Sequence, residues 1–153
     1  MIVPESSLAL ARASDAPVIA QLSRTLIETG LPWSWVPQRV EASIRQPETN
    51  VLVARASERI AGFGIMRYGV ETAHLDLLAV DPVWQGQGLG RHLLEWLERP
   101  ARVARLARIL LEVRVDNTGG RAFYERLGYR NLALLPGYYQ GCEDALRMAR
   151  SLE

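Results

Sequence analysis

A mixed α/β fold is what this sequence predicts, and three observations predict it. Apolar residues recur at helical spacing in some segments and alternate in others. The two kinds of segment interleave, with a strand, helices and a hairpin followed by strand, helix, strand, helix and strand. A hairpin within that order means the sheet cannot be purely parallel. A chain of 153 residues, 48% hydrophobic and 23% charged, fits one folded domain over 1–153. No repeat, low-complexity tract or linker divides it.

The elements follow in order. Leu8–Arg12 reads as a short strand, and Ser14 or Asp15 offers a cap for a helix whose first turn tolerates Pro17. Ile19, Leu22 and Leu26 share its face and Gly30 ends it. The segment Leu31–Pro37 is irregular, and a short helix over Arg39–Gln46 follows. Asn50–Ala56 and Ile60–Tyr68 form the hairpin around Ser57-Glu58-Arg59. Ala73–Val80 is expected to be a central strand, apolar on both faces, closed by Asp81-Pro82. From Gly88, residues Leu89, Leu93, Leu94 and Leu97 make an apolar stripe opposite Arg91, Glu95 and Glu98. Pro100 is expected to kink or end that helix, leaving 101–107 as a turn-rich piece with Arg102, Arg105 and Arg108 as a wet face. Ile109–Val115 alternates, with Glu112 opposite Ile109, Leu111 and Val113. Asn117 can cap a helix carrying Phe123, Tyr124 and Leu127, ended by Gly128. Tyr129–Leu135 and Ala145–Ala149 are strands flanking a loop over 136–141.

Charge and composition narrow the function. The balance is 18 bases against 17 acids, so nothing points to nucleic acid or a membrane surface. All the bases are Arg. Without a lysine there is no Schiff base and no Walker-type phosphate loop. A single cysteine, Cys142, cannot form an internal disulfide, and Met1–Glu5 does not resemble a leader, so a cytoplasmic location is expected. His74 and Asp76 lack a third ligand at useful spacing, so no metal is expected.

The segment Leu77–Arg91 carries the chemistry. A strand enters a turn with Gly86, Gly88 and Gly90, and the turn opens directly into the amphipathic helix. Glycines let main-chain amides converge on a ligand, and the helix start adds unsatisfied N–H groups and a positive dipole end. That is an anion site suited to phosphate or pyrophosphate. A dinucleotide fingerprint fails, because Arg91 or Leu93 stands where its last small residue belongs.

What the turn does match is Gln85-x-x-Gly88-x-Gly90, and on it the chain resembles the GNAT superfamily of N-acetyltransferases. Val80-Asp81-Pro82 and Ala122–Tyr129 carry the same resemblance. Leu111–Asn117 followed by Phe123-Tyr124 is similar to the ribosomal-protein alanine N-acetyltransferases (RimI type). So are Leu31–Ser34, Tyr138-Tyr139, Glu143–Ala145 and Met148. The resemblance implies a mixed, mostly antiparallel sheet of six to seven strands flanked by helices. It implies transfer of the acetyl group of acetyl-CoA, as cosubstrate, to a primary amine by direct attack, with a protein N-terminus as preferred acceptor. A small amine (amino acid, polyamine or antibiotic) and a non-catalytic acyl-CoA sensor are the rivals, and a homodimer is compatible with it.

By the same resemblance, Glu112 takes the amine proton and Tyr124 returns a proton to the thiolate. Main-chain amides at Leu78, Ala79 and Val80 hold the thioester carbonyl and pantetheine. Gln85, Gly86, Gln87, Gly88, Leu89, Gly90 and Arg91 hold the pyrophosphate, and Asn117 contacts the coenzyme. Each residue also has a plain structural reading. Glu112 could be a solvated or Arg114-paired carboxylate, Tyr124 core packing, Asn117 only a cap, and Arg91 a solvated helix arginine. His74 and Asp76, two apart on one strand face, are the reserve bases. Trp33 and Trp35 are core plugs or acceptor-site walls.

Overall fold

The structure, a computed structural model, describes residues 7–153, so the Met1–Glu5 segment lies outside the described residues. Among the described residues seven strands form one sheet: β1 (Leu8–Leu10), β2 (Thr49–Ala56), β3 (Arg59–Tyr68), β4 (Thr72–Val80), β5 (Arg108–Arg114), β6 (Arg130–Tyr139) and β7 (Glu143–Ser151). Their spatial order is β1-β2-β3-β4-β5-β7-β6. All neighbours pair antiparallel except β4 and β5, which run parallel. The parallel step needs a crossover, and helix α3 (Leu89–Val103) supplies it. The other helices are α1 (Ala16–Leu26), α2 (Pro37–Arg45) and α4 (Thr118–Arg126).

Two apolar clusters sandwich the sheet. On one face Leu93, Leu94 and Leu97 of α3 meet Leu52, Met66, Ile109 and Leu111. On the other, Ile19 and Ala20 of α1 and Val40 of α2 meet Val51, Val53, Phe63 and Ile65. Burying such side chains is worth roughly 1.5–3 kcal/mol each, so the strand alternation that divides them also fixes which face each helix covers.

Several boundaries differ from the sequence expectation. Helix α3 does not stop at Pro100 but runs to Val103. Only the N–H toward Trp96 is lost, and the apolar stripe continues through buried Ala101, which keeps the last turn docked. Helix α1 ends at Leu26 rather than Gly30, where the Ile27 and Glu28 N–H groups both close on the Ser23 carbonyl. The loop expected over 136–141 belongs largely to β6, which reaches Tyr139; Pro136 is tolerated because β6 is an edge strand. Strand β3, not β4, is the one buried on both faces.

Strand β4 carries the feature that makes the site. Its pairing with β3 shifts between Ile65 and Met66, leaving Asp76 as an extra residue between Leu75 and Leu77. Ala73 and Leu75 pack toward α3, whereas Leu77 and Ala79 pack toward α1 and α2. This bulge reverses the faces of the strand. Bulges also bend the strand and increase its twist. Pairing with β5 stops at Leu75↔Leu111, immediately before it, so the ends of β4 and β5 separate.

Candidate active site

The separation opens a cleft of about 1330 Å³, floored by Leu75–Val80 and Leu111–Arg114. Asp81 N–H donates to the Ala61 carbonyl at 2.8 Å. Antiparallel alternation then commits Ala79, opposite Phe63, to β3. Leu78 and Val80 present their main-chain groups to the gap instead. The Val80 carbonyl is taken by the Gln85 amide at 2.9 Å. Of the three residues singled out from sequence, Leu78 and Val80 therefore have the free orientation, and Ala79 lends its side chain to the opposite core.

At the wide end lies the glycine turn. Gly86 and Gly88 have φ of +78° and +82°, and a Cβ at either would meet nothing within 4 Å. No internal packing demands glycine there. The left-handed backbone does, and it leaves the turn open in front of the α3 N-terminus, whose N-cap is Gly88. A Gly-rich turn whose front no protein side chain fills suits the diphosphate of a coenzyme. Gln85, Gly86, Gly88, Leu89, Gly90 and Arg91 line the cleft, and Gln87 does not. Exposed Arg91 sits 3.5 Å from Glu95. Asn117 Oδ1 accepts the Gly120 N–H at 3.0 Å, so it caps α4 while lining the cleft.

Tyr124 lines the same cleft. Its ring meets Phe123 and Tyr129 edge-on, with centroids 5.1 and 5.7 Å away. Burial pushes its pKa up, so the hydroxyl keeps its proton at any physiological pH. Among the described residues that hydroxyl makes no hydrogen bond, unlike Tyr129, which donates to Glu98 at 2.7 Å. The ring packs and the hydroxyl is free to donate.

The narrow end holds a charged cluster on the α1/α2 face. His74 Nε2 is 2.6 Å from Glu112 Oε1, and its Nδ1 is 2.5 Å from Asp76 Oδ1. Arg67 Nε donates to both Asp76 oxygens at 2.9 and 2.8 Å. Arg147, directly opposite Glu112 on β7, donates to its Oε2 at 2.8 Å, and the Tyr138 hydroxyl donates to Oε1 at 3.2 Å. The carboxylate candidate and its two reserves are one hydrogen-bonded chain. Burial favours neutral His74, but Asp76 and Glu112 outweigh it and push its pKa up to about 9. Burial likewise favours neutral Glu112, and His74 with Arg147 outweighs it, bringing the acid down to about 2. Asp76 is lowered as well, with His74 and Arg67 overcoming its burial. The pairing of Glu112 with Arg114 does not occur. Arg114 donates to the Ile27 carbonyl at 2.8 Å and pairs with Glu143, because it lies two residues further along β5 than Glu112 and faces Ala145 rather than Arg147.

Sequence reasoning missed Glu28. It is buried, and its Oε1 accepts from Ser34 N and Oγ, both at 2.7 Å, while Oε2 accepts from Ser23 at 2.9 Å. It thereby shapes the wall opposite Tyr138 and Tyr139, and Gln140 bridges the two walls through the Pro32 carbonyl at 3.3 Å. Trp33 donates its indole N–H to the Ala20 carbonyl at 3.2 Å and does not line the cleft. Trp35 is 9% exposed, carries Arg39 3.8 Å above its ring, and is both core plug and wall. Cys142 is exposed, and its thiol contacts the Gln140 carbonyl. Among the described residues no group of His, Cys, Asp or Glu is arranged to hold a metal, and no helix is long and apolar enough to cross a membrane.

Comparison with known proteins shows the family and the fold. Residues 20–129 match the family model described as "Acetyltransferase (GNAT) family". The [Ribosomal protein bS18]-alanine N-acetyltransferase of Salmonella typhimurium is 36% identical over 81% of this chain and 93% of its own. The N-alpha-acetyltransferase RimI of Mycobacterium tuberculosis is 33% identical over 93% of this chain and 89% of its own. The crystal structure of the ribosomal-protein-S18-alanine N-acetyltransferase from Escherichia coli superposes with a TM-score of 0.80 at 30% identity, covering 95% of this chain and 93% of that one.

Proposed function

The chain belongs to the GNAT acetyltransferase family, and from that premise we propose that it moves the acetyl group of acetyl-CoA to the α-amine of a protein N-terminus. The observation that carries the reading is the splayed β4–β5 gap, which opens at one end on a glycine turn clear of protein side chains and at the other on a carboxylate–imidazole chain. The names of the relatives that act on an alanine or an α-amine support the acceptor class.

Acetyl-CoA supplies an acyl group activated as a thioester. The amides from Gln85 to Arg91, helped by the α3 dipole, hold its phosphates. Leu78 and Val80 align the pantetheine arm and give N–H donors toward charge developing on the carbonyl oxygen. Glu112 receives the proton leaving the acceptor nitrogen. A free α-amine has a pKa of roughly 7.7–8.0, so only modest help is needed near neutrality. Tyr124, protonated and unpartnered, donates to the departing sulfur. Asn117 holds the α4 start beside the coenzyme path. Glu28, Trp35 and Tyr138 wall the opening through which the amine arrives.

The test is direct. Purified protein is incubated with acetyl-CoA and either peptides with free Ala or Ser N-termini or a panel of small amines, and products are read by mass spectrometry. Acetylated peptide N-termini support the reading. Acetylation confined to small amines overturns the acceptor, and binding without transfer to anything overturns the enzyme.

A further inference from the structure

The cluster at the narrow end has a consequence for how the proton is taken. This step rests on the acetyltransferase reading. Glu112, the group in the cleft, is the acceptor of hydrogen bonds from His74, Arg147 and Tyr138 in one arrangement. A carboxylate so satisfied has little basicity left of its own. The ring that binds it is also bound on its far side by Asp76, which Arg67 holds with both oxygens engaged. We propose that the base is not Glu112 alone but the trio Glu112–His74–Asp76, which gains and loses a single proton as a unit.

In the loaded state the ring is an imidazolium donating to both carboxylates. In the working state it is neutral, Nδ1–H still donates to Asp76, and the Nε2 lone pair faces Glu112. When the acceptor nitrogen attacks, its N–H bond breaks, the electron pair stays on nitrogen, and the proton arrives at Glu112. The contact between Glu112 and Nε2 then restores the imidazolium. The trio goes from two net negative charges to one. His74 acts through Glu112 and is a positioning residue, and Asp76 positions His74 in turn.

Other charges face the ring from every side. Arg67 of β3 has its Nη2 3.2 Å from Nδ1. Arg147 of β7 and Tyr138 of β6 approach through Glu112. Arg39 of α2, and Glu48 ahead of β2, line with His74 and Asp76 a second cleft of about 590 Å³ on the far side. The nearest cations oppose an extra positive charge on the ring, and the two carboxylates favour it. The carboxylates are in direct contact and win, in keeping with a His74 pKa pushed up to about 9. The second cleft also lets water reach the Asp76 end, so the proton can leave without crossing the acceptor.

Two readouts test this on the full chain. Imidazole nitrogen NMR, with His74 assigned by its loss in His74→Gln, reports the ring's titration without any substrate. It should show a midpoint well above 6.5, and turnover at saturating acetyl-CoA and peptide should rise with pH through the same midpoint. Asp76→Asn removes one stabilising carboxylate and should move both midpoints down by about one unit. His74→Gln, which can still donate to Glu112, should abolish that limb of the turnover profile while leaving acetyl-CoA affinity within about twofold. A limb that survives unchanged in His74→Gln, or a His74 midpoint near 6.5, overturns the proposal while leaving the acetyltransferase reading in place. A wild-type protein that acetylates no amine overturns both.

Discussion

Replacing Gly88 by Asp separates the two jobs of the glycine turn. Gly88 holds φ +82° at the α3 N-cap, and a Cβ there meets nothing within 4 Å. Sterically the position is open, so the cost to folding is the left-handed backbone alone, on the order of 1 kcal/mol and less for Asn or Asp, which tolerate that region. Both are also favoured at an N-cap, which offsets part of it. Ligand binding is another matter. A carboxylate about 4 Å from a phosphate costs about 1 kcal/mol in bulk water and about 4 kcal/mol at the effective dielectric of a protein surface. Gly88→Asp should therefore weaken acetyl-CoA by about fivefold to a thousandfold. Gly88→Asn, of the same shape without the charge, should lose much less. Calorimetric titration of the two variants, with their melting temperatures as a check on folding, isolates the charge. Equal affinities for Asp and Asn would refute the assignment of this turn to the phosphates.

Tyr124→Phe should lower turnover by about a hundredfold or more with little change in acetyl-CoA affinity, since it removes the donor that the proposed reaction uses only as the thiolate leaves. Its melting temperature should hold, because the hydroxyl has no partner among the described residues to lose; an unchanged rate would leave Tyr124 a packing residue. Glu28→Ala strands the Ser34 and Trp35 amides and should cost about 1–3 kcal/mol in stability and raise the acceptor KM more than that for acetyl-CoA. A KM effect confined to acetyl-CoA would contradict its place in the acceptor wall. The charged cluster makes stability pH-dependent in two directions. The His74 contribution is complete below about 6.5 and lost as pH rises through about 9. The Glu112 contribution is complete above about 4.5 and lost as pH falls toward about 2. Melting temperature should thus fall between pH 6.5 and 9.5 in the wild type, by on the order of 2 kcal/mol in stability, and more than in His74→Gln; parallel curves would discount the ion pairs.

Local patterns in this chain are legible in the sequence wherever one residue's chemistry decides the outcome. Alternation in Ile109–Val113 and the leucine stripe of α3 are properties of neighbours in sequence, and they placed the strands, the helix and their buried faces. The glycine turn before Leu89 is equally local, because positive φ and a helix start need no distant partner. Pro100 does not end α3 as its local chemistry suggests, because the cost of a single missing hydrogen bond is set against the docking of Ala101, which is a tertiary contact.

The amino-acid order alone determined the fold class, the glycine turn that opens α3 and the set of polar side chains available for chemistry. Only the tertiary structure decided how those side chains combine. The extra residue at Asp76 reverses the faces of β4 and splays it from β5. Parallel pairing sets His74 beside β5, and the β5–β7 register brings Arg147 to Glu112. Such registers and bulges are settled by how all the strands share one sheet. A short sequence window does not contain that information, because residues 74, 112 and 147 become neighbours only when every strand between them has found its place.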